Sequence, residues 1–451
     1  MAAAVAAEVE RPAFAVLDAL GLCRLSRRDP TLGGRTPLRA VQACAPLLAG
    51  NAFGFQVVLD APIEVRRRLG RLSWEVTGPR AESVTRAAKA AVPRLVAQGF
   101  VGAKGGWAAA LSEGLATSSG RAGLRLWTGL LVRCEPGTWL RLSGAANRRN
   151  RLFEVAEIFV AESDALVPLV VDLELRKEAP DRVVLEGEIA CLAPLAPGAS
   201  IATRRLEEAR EVGEAHVAFY DAAYFAEKRA GDSTRKYRRM LREEDASPAP
   251  AGPCDLVTAG PAHHEVQSVG RVVGPRGPEA LPPEAPRVEQ VDHACAVSFR
   301  ATFDGLNLAV EPDRKQLAEG ASAVERAWAA AFGEGFVKAP ASRGAMLYLT
   351  KYFTPHPPGE PHFFVKPWAF FRTPPGWSTL VEGAHGPGYD VLRGVVSTDS
   401  FFATPAVFEV YRVGVAIEVA AGAPLVRLTP VPRWLLAAGH RRVEWRDYGG
   451  A

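Results

Sequence analysis

The side chains best able to recognise a ligand gather around two turns of similar sequence. Trp127, Arg133 and Trp139 surround the first, and Trp368, Phe370, Phe371, Arg372 and Trp377 the second. Tryptophan offers a broad apolar face with one polar atom, and arginine grips a carboxylate through two parallel hydrogen bonds. That combination suits a peptide with an aromatic residue or a free carboxyl end. The competing reading of each cluster is sandwich core with an arginine reaching out to water. His385 joins the ligand-reading set. With His356 and His362 around PHPPGEPH it forms either a three-histidine group able to hold zinc or three loop histidines.

Acid–base chemistry has two candidates, Glu162 and Asp399, at matching places in IFVAESDALVPL and VVSTDSFFATPA. Iron oxygenases on jelly rolls need a His-x-Asp/Glu on a strand plus a distal His. His263-His264-Glu265 supplies such a spacing, but in a stretch read as linker, and residues 1–200 contain no histidine. The six cysteines lie far apart without a CxxC pair, against both a disulfide framework and a structural zinc site. GAHGPG lacks the Lys-Ser/Thr of a phosphate loop, and no GxSxG occurs. No metal and no cofactor is expected. TRKYRRMLRE (234–243) reads as a basic helix, either a solvated face or a dock for an acidic peptide segment.

These residues recur because the chain repeats itself. GFV stands at 99–101 and at 335–337, an offset of 236. LVRCEPGTW (131–139) faces FFRTPPGW (370–377) at an offset of 239, setting Arg133 on Arg372 and Gly137 on Gly376. Glu162 falls on Asp399 and Pro168 on Pro405 at 237. Upstream, ACAPLLAGNAFGFQVV (43–58) is matched to ACAVSFRATFDGLNLA (294–309), Cys44 on Cys295, at 251. Two long repeats mean two domains rather than a solenoid.

Short Val-, Ile-, Leu- and aromatic-rich runs between Pro/Gly turns predict strands in both halves. Among them are RLWTGLLVR, PLVVDLELR, FFVKPWAFFR and PAVFEVYRV. Helices are expected over 81–97 and 321–334, and by composition over 202–245. Residues 246–255 and 274–287 read as Pro/Gly-rich linker. The expected fold is mainly β with peripheral helices (α+β), as two duplicated β-sandwich or jelly-roll-like repeats. The expected division is an N-terminal extension (1–36), a first repeat (37–200), a helical segment and linker (201–289) and a second repeat (290–451).

Composition narrows the function class. The chain has 451 residues, 48% hydrophobic and 23% charged, too apolar for a disordered protein. A net charge of +4 over this length gives no argument for nucleic acid. Forty-five of the 54 basic residues are arginine, which with the Ala, Gly and Pro excess reads as the codon bias of a high-G+C bacterial genome. No apolar run is long enough for a membrane span, and MAAAVAAEVERPAF lacks the basic start of a secretory signal. A cytoplasmic location with reduced thiols is expected.

FRTPPGW (371–377), EG (382–383), GVVSTDS (394–400) and LTPVPR (428–433) resemble an uncharacterised bacterial domain-of-unknown-function family. Its pattern runs roughly FRTPPGWNL, TGPPN, GIVETDW and FPVPR. LLAGNAFGF (47–55) is similar to that family's IANSHGWE opening, and the stretch ending KYRRML to its helical tail. The first repeat has GAAN (144–147) for GPPN; the second has GAHG (383–386) for it, and Ser400 in place of Trp. The two-repeat layout without an iron triad also resembles the peptide-binding proteins of crocagin-type ribosomal-peptide biosynthesis. That resemblance implies a cofactor-independent protein that holds a ribosomally made precursor peptide, alongside other enzymes of a natural-product pathway. The alternative is an enzyme on the same scaffold, a metal-dependent hydroxylase or an acid–base peptide cyclase. One repeat is expected to bind. The second is favoured, because its 352–377 stretch is denser in aromatics.

Overall fold

The computed structural model describes residues 14–18, 21–27, 44–68, 71–87, 90, 116–119, 123–145, 147, 150, 152–160, 167–196, 199–220, 226, 253–259, 263–268, 272–273, 294–300, 306–307, 314–339, 353–355, 362–365, 368–383, 389–402, 404, 406–410, 418–419, 423–436 and 443–447.

The protein is mainly β. The first half supplies β1 (Phe14–Asp18), β2 (Cys23–Arg27), β3 (Phe55–Arg68), β4 (Arg71–Val76), β5 (Ala116–Ser119) and β6 (Gly123–Cys134). It continues with β7 (Trp139–Ser143), β8 (Phe153–Val155), β9 (Ile158–Val160), β10 (Val167–Leu175), β11 (Arg182–Leu195) and β12 (Ile201–Arg205). The second half supplies β13 (Cys254–Thr258), β14 (His263–Ser268), β15 (Val272–Val273), β16 (Ala294–Arg300), β17 (Leu306–Asn307), β18 (Phe353–Pro355), β19 (His362–Val365) and β20 (Ala369–Arg372). Then follow β21 (Trp377–Gly383), β22 (Tyr389–Leu392), β23 (Gly394–Val396), β24 (Ala406–Val410), β25 (Glu418–Val419), β26 (Pro424–Pro432) and β27 (Val443–Asp447). The helices are α1 (Ala45–Ala52), α2 (Arg210–Phe219), α3 (Arg314–Phe332) and α4 (Glu334–Lys338), and residues 81–87 are also helical.

Alternation explains the strands. In β3, Phe55, Val57, Leu59 and Ala61 point inward while their neighbours are half-exposed, the period-two pattern of a sheet with one buried face. α1 has no β-branched residue, and Pro46 sits in its first turn, where a missing N–H costs nothing.

The first half builds an outer sheet, β27-β1-β6-β10-β8 with β5 on β6, and an inner sheet, β15-β9-β7-β11-β3-β2 with β4 on β3. The second half builds an inner sheet, β14-β16-β26-β21-β23, and two outer pieces, β12-β13-β20 and β18-β19-β24-β22. Read from one edge, the antiparallel runs β9-β7-β11-β3-β2 and β23-β21-β26-β16-β14 follow the same order along the chain.

Among the described residues, three strands cross between the halves, each in parallel. β12 lies on β13, β27 on β1, and β15 on β9. α1 packs on β23 of the other half, with Gly50 so close to the Arg393 carbonyl that a Cβ would sit 2.5 Å from it.

The two inner sheets face each other. In the second one, Leu380, Val395 and Val431 join the first half's core, while Val381, Val396 and Leu428 point to the second core. Burying such a side chain stabilises by about 1.5–3 kcal/mol. α2 and α3 close the second core, with Val212, Phe219, Val324 and Trp328 turned into it.

Several expectations need correction. The match of Cys44 to Cys295 is not kept, because Ala45–Ala52 is helix and Ala294–Arg300 is strand. Residues 202–205, the start of the stretch expected to be helical, pair within β12, and the segment 201–289, expected as helix and linker, contributes the paired strands β13 and β14. Pairing partners distant in the chain decide these segments, so local composition misleads. β1 and β2, within the segment read as an extension, are members of the outer and inner sheets. The helix expected over 81–97 is described only in part.

Candidate functional site

The FRTPPGW, STDS and PVPR motifs meet in one knot. Gly376 turns the chain at φ +78°, a conformation its counterpart Gly137 shares at +75°. The Gly376 N–H donates to Asp399 Oδ2 at 3.0 Å, and the Asp399 carboxylate pairs with the Arg433 guanidinium. The Arg433 N–H donates to the Gly376 carbonyl at 2.7 Å, and its Nη2 to the Trp377 carbonyl at 3.3 Å. Thr373 and Thr379 each share a hydroxyl hydrogen bond with Thr398, at 2.8 and 2.6 Å. Asp399 therefore holds a turn. Glu162 and His385 lie outside the described residues, as do His356 and the basic run 235–242, which was expected to be helical.

The tryptophans are packed inside. Trp127 and Trp139 belong to the first core and Trp368 and Trp377 to the second, none more than 7% exposed. Of the readings left open in the sequence, their faces take that of core.

The paired arginines differ. Arg372 grips Asp255 Oδ2 through Nε at 2.9 Å and Nη2 at 2.5 Å, across the β13–β20 pair. Arg204 of β12 joins the same Asp255 at 3.0 Å and Glu211 of α2 at 2.9 Å, so this network fastens the crossing strand β12 in place. Arg133 is 44% exposed at its side chain and meets Glu135 at 3.3 Å.

A second constellation, not singled out in the sequence, lies between the inner sheets. Arg141 on β7 reaches Glu382 on β21 at 2.5 Å and Glu157 at 3.5 Å. Arg427 on β26, opposite Glu382 in register, holds Glu157 with two hydrogen bonds at 2.8 and 2.7 Å. Arg393, between β22 and β23, reaches Glu382 at 3.4 Å and donates to Cys191 Sγ at 3.4 Å. Its guanidinium also lies 5.0 Å from the Phe53 ring centre. Burial pushes the Glu382 carboxyl up, but Arg141, Arg393 and Arg427 outweigh it and hold it well below the usual range. Glu157 is lowered in the same way, burial being outweighed by Arg141 and Arg427.

The backbone of Arg393 is itself clamped. The Asn147 side chain accepts from its N–H and donates to its carbonyl at 3.0 Å, and also donates to Asn51 Oδ1 at 2.5 Å. Asn147 takes φ +55°, the left-handed region that asparagine tolerates better than most residues. Asn51 and Asn147 are the asparagines of LLAGNAFGF and GAAN. The signal available in the sequence was their place in the two family-like segments. Nothing local marked the charged residues.

Among the described residues no group of three or more His, Cys, Asp or Glu side chains is arranged to hold a metal ion, and no helix is long and apolar enough to cross a membrane. No protein-family model matches this chain, and no curated protein is similar to it.

Proposed function

We propose that this is a peptide-binding protein that takes up an extended segment along a sheet edge, using two duplicated sandwich repeats. The observation that carries the reading is the parallel addition of β12, β27 and β15 to edges of the other half's sheets. These edges accept strands through main-chain hydrogen bonds, the physical basis of peptide capture by β-augmentation. The matching strand order of the two inner sheets supports the duplication. In this reading the ligand is a ribosomally made precursor peptide, held in the cytoplasm without a cofactor for the other enzymes of a natural-product pathway. The chain is then a diverged relative of the domain-of-unknown-function family and of the crocagin-type peptide binders. Arg133, more exposed than Arg372, is the arginine offered to a peptide carboxylate.

The test is calorimetric titration of the full chain with extended peptides bearing an aromatic residue and a free C-terminus. Binding that weakens on Arg133→Ala while the fold persists supports the proposal. Where the bound peptide desolvates this Arg–carboxylate contact, truncating it costs about 2–5 kcal/mol; a contact that stays exposed costs no more than about 1 kcal/mol. Absence of binding across peptides spanning the gene neighbourhood's short reading frames would overturn it.

A further inference from the structure

Each half gives its last strand to the other. β12 follows β11 and crosses to β13, and β27 follows β26 and crosses to β1. β11 and β26 hold the same place in the two inner sheets. The two crossings agree residue by residue. β1 lies antiparallel to β6 with Ala15 opposite Arg133, and β13 lies antiparallel to β20 with Asp255 opposite Arg372, the matched arginine. From one residue before Ala15 and Asp255, each strand then takes five parallel partners. Phe14 to Asp18 meet Val443 to Asp447, and Cys254 to Thr258 meet Ile201 to Arg205. The inward residues correspond as well, Phe14 and Val16 facing the first core and Cys254 and Leu256 the second. The cores are closed reciprocally. Leu380, Val395, Val431 and Leu435 of the second half lie in the first core, while Leu206, Val212 and Phe219, which follow β12, lie in the second. Withdrawing a strand or an apolar side chain from such a place leaves main-chain groups unpaired and apolar surface in water.

We propose that the two halves are each other's binding partner: a strand-exchanged pair joined in one chain, which opens as a single cooperative unit. The partner that each crossing surface fits is a second copy of the same repeat. Two observations carry this. The exchange is mutual and in one register, which a chance crossing of one strand would not produce. Symmetric association uses the same surface on both partners, residue i meeting j as j meets i, and the β12–β13 and β27–β1 ladders stand in that relation. Secondly, neither core is closed by its own half alone. Length and repeat pattern by themselves suggest two separately stable domains, and the exchange removes that independence. The inference holds whether or not a peptide binds to the chain.

The experiment is native-state hydrogen exchange of the full chain in urea below its unfolding transition. The slowest amides of β3 and β11 and those of β21 and β26 are expected to share one opening, with the urea dependence of global unfolding. Two separate openings, each less steep in urea than global unfolding, overturn the proposal in the wild-type chain by itself. Gly320→Ala supplies a second reading. It perturbs the second core, where an added Cβ would meet the Trp368 ring. It is expected to speed exchange at least about fivefold in β3 and β11 as in β21 and β26. Faster exchange confined to β21 and β26 would mean two independent domains. The partnership is read by placing a specific protease site at 246–252, between α2 and β13, and cutting the purified chain there. The cut pieces are expected to run as one particle of unchanged mass in size-exclusion light scattering and to separate only on unfolding. Their separation in native buffer overturns the proposal.

Discussion

The side-chain amide of Asn147 meets both backbone groups of Arg393, accepting from its N–H and donating to its carbonyl, as a neighbouring strand would. A residue of the first half thereby pairs with a strand end of the second. Asn147→Ala leaves a part-buried N–H and carbonyl without these partners and is expected to cost about 2–4 kcal/mol. Asn147→Asp places an acceptor against both the Arg393 carbonyl and Asn51 Oδ1, and should cost at least as much. Urea unfolding compares them; a loss within experimental error for both would show that the clamp contributes nothing.

Stability should fall in acid through Glu382. Its folded carboxyl is held below the ordinary 4.5, so the unfolded chain takes up its proton first as pH drops. The contribution is complete above that ordinary value and is lost progressively below it. Glu382→Gln should flatten the slope of unfolding free energy against pH below about 5. Glu382→Ala, leaving buried arginines uncompensated, should cost about 3–5 kcal/mol at neutral pH. An unchanged acid slope in the Gln variant would refute the assignment.

Arg433→Ala should be strongly destabilising, by about 3–5 kcal/mol, because it leaves the largely buried Asp399 carboxylate without its cation and the Trp377 carbonyl with one donor fewer. Asp399→Asn should cost less, since an amide oxygen can still accept from the Gly376 N–H. A double-mutant cycle with thermal melts measures the coupling, which would be near zero if the knot were not a unit.

Gly320 on α3 lies against Trp368, whose ring would stand 1.6 Å from an added Cβ. Gly320→Ala is therefore expected to destabilise by about 1–3 kcal/mol, despite alanine's better helix propensity, and to alter tryptophan fluorescence. A stabilised variant with an unchanged spectrum would contradict this packing.

The Cys254 thiol is pushed up to about 12 by burial and by Asp255, and burial raises Cys23 as well. Neither should react with iodoacetamide at pH 8 until the protein unfolds. Peptide mapping of the alkylated native protein checks this, and early modification of either residue would be inconsistent with the buried placement.

Local pattern was enough for the mainly β class. Runs such as RLWTGLLVR and PLVVDLELR carry their own strand signal, and the paired EPG and PPG turns need a glycine at positive φ wherever they occur. The matched offsets around Gly137 and Gly376 were legible for the same reason. Where pairing is remote, local pattern failed. His263–Ser268 reads as polar linker by itself and becomes a strand because β16 supplies its hydrogen bonds. The aromatic clusters stayed ambiguous between core and ligand platform, since apolar side chains look alike until both faces of a sheet are seen to be covered. Arg141, Glu157, Glu382, Arg393 and Arg427 look in sequence like ordinary strand-end charges. Only the face-to-face packing of two sheets brings them within salt-bridge distance and takes Arg141, Arg393 and Glu382 largely out of water. Coulomb energy depends on separation in space and on burial, and neither is written in the spacing of residues along a chain.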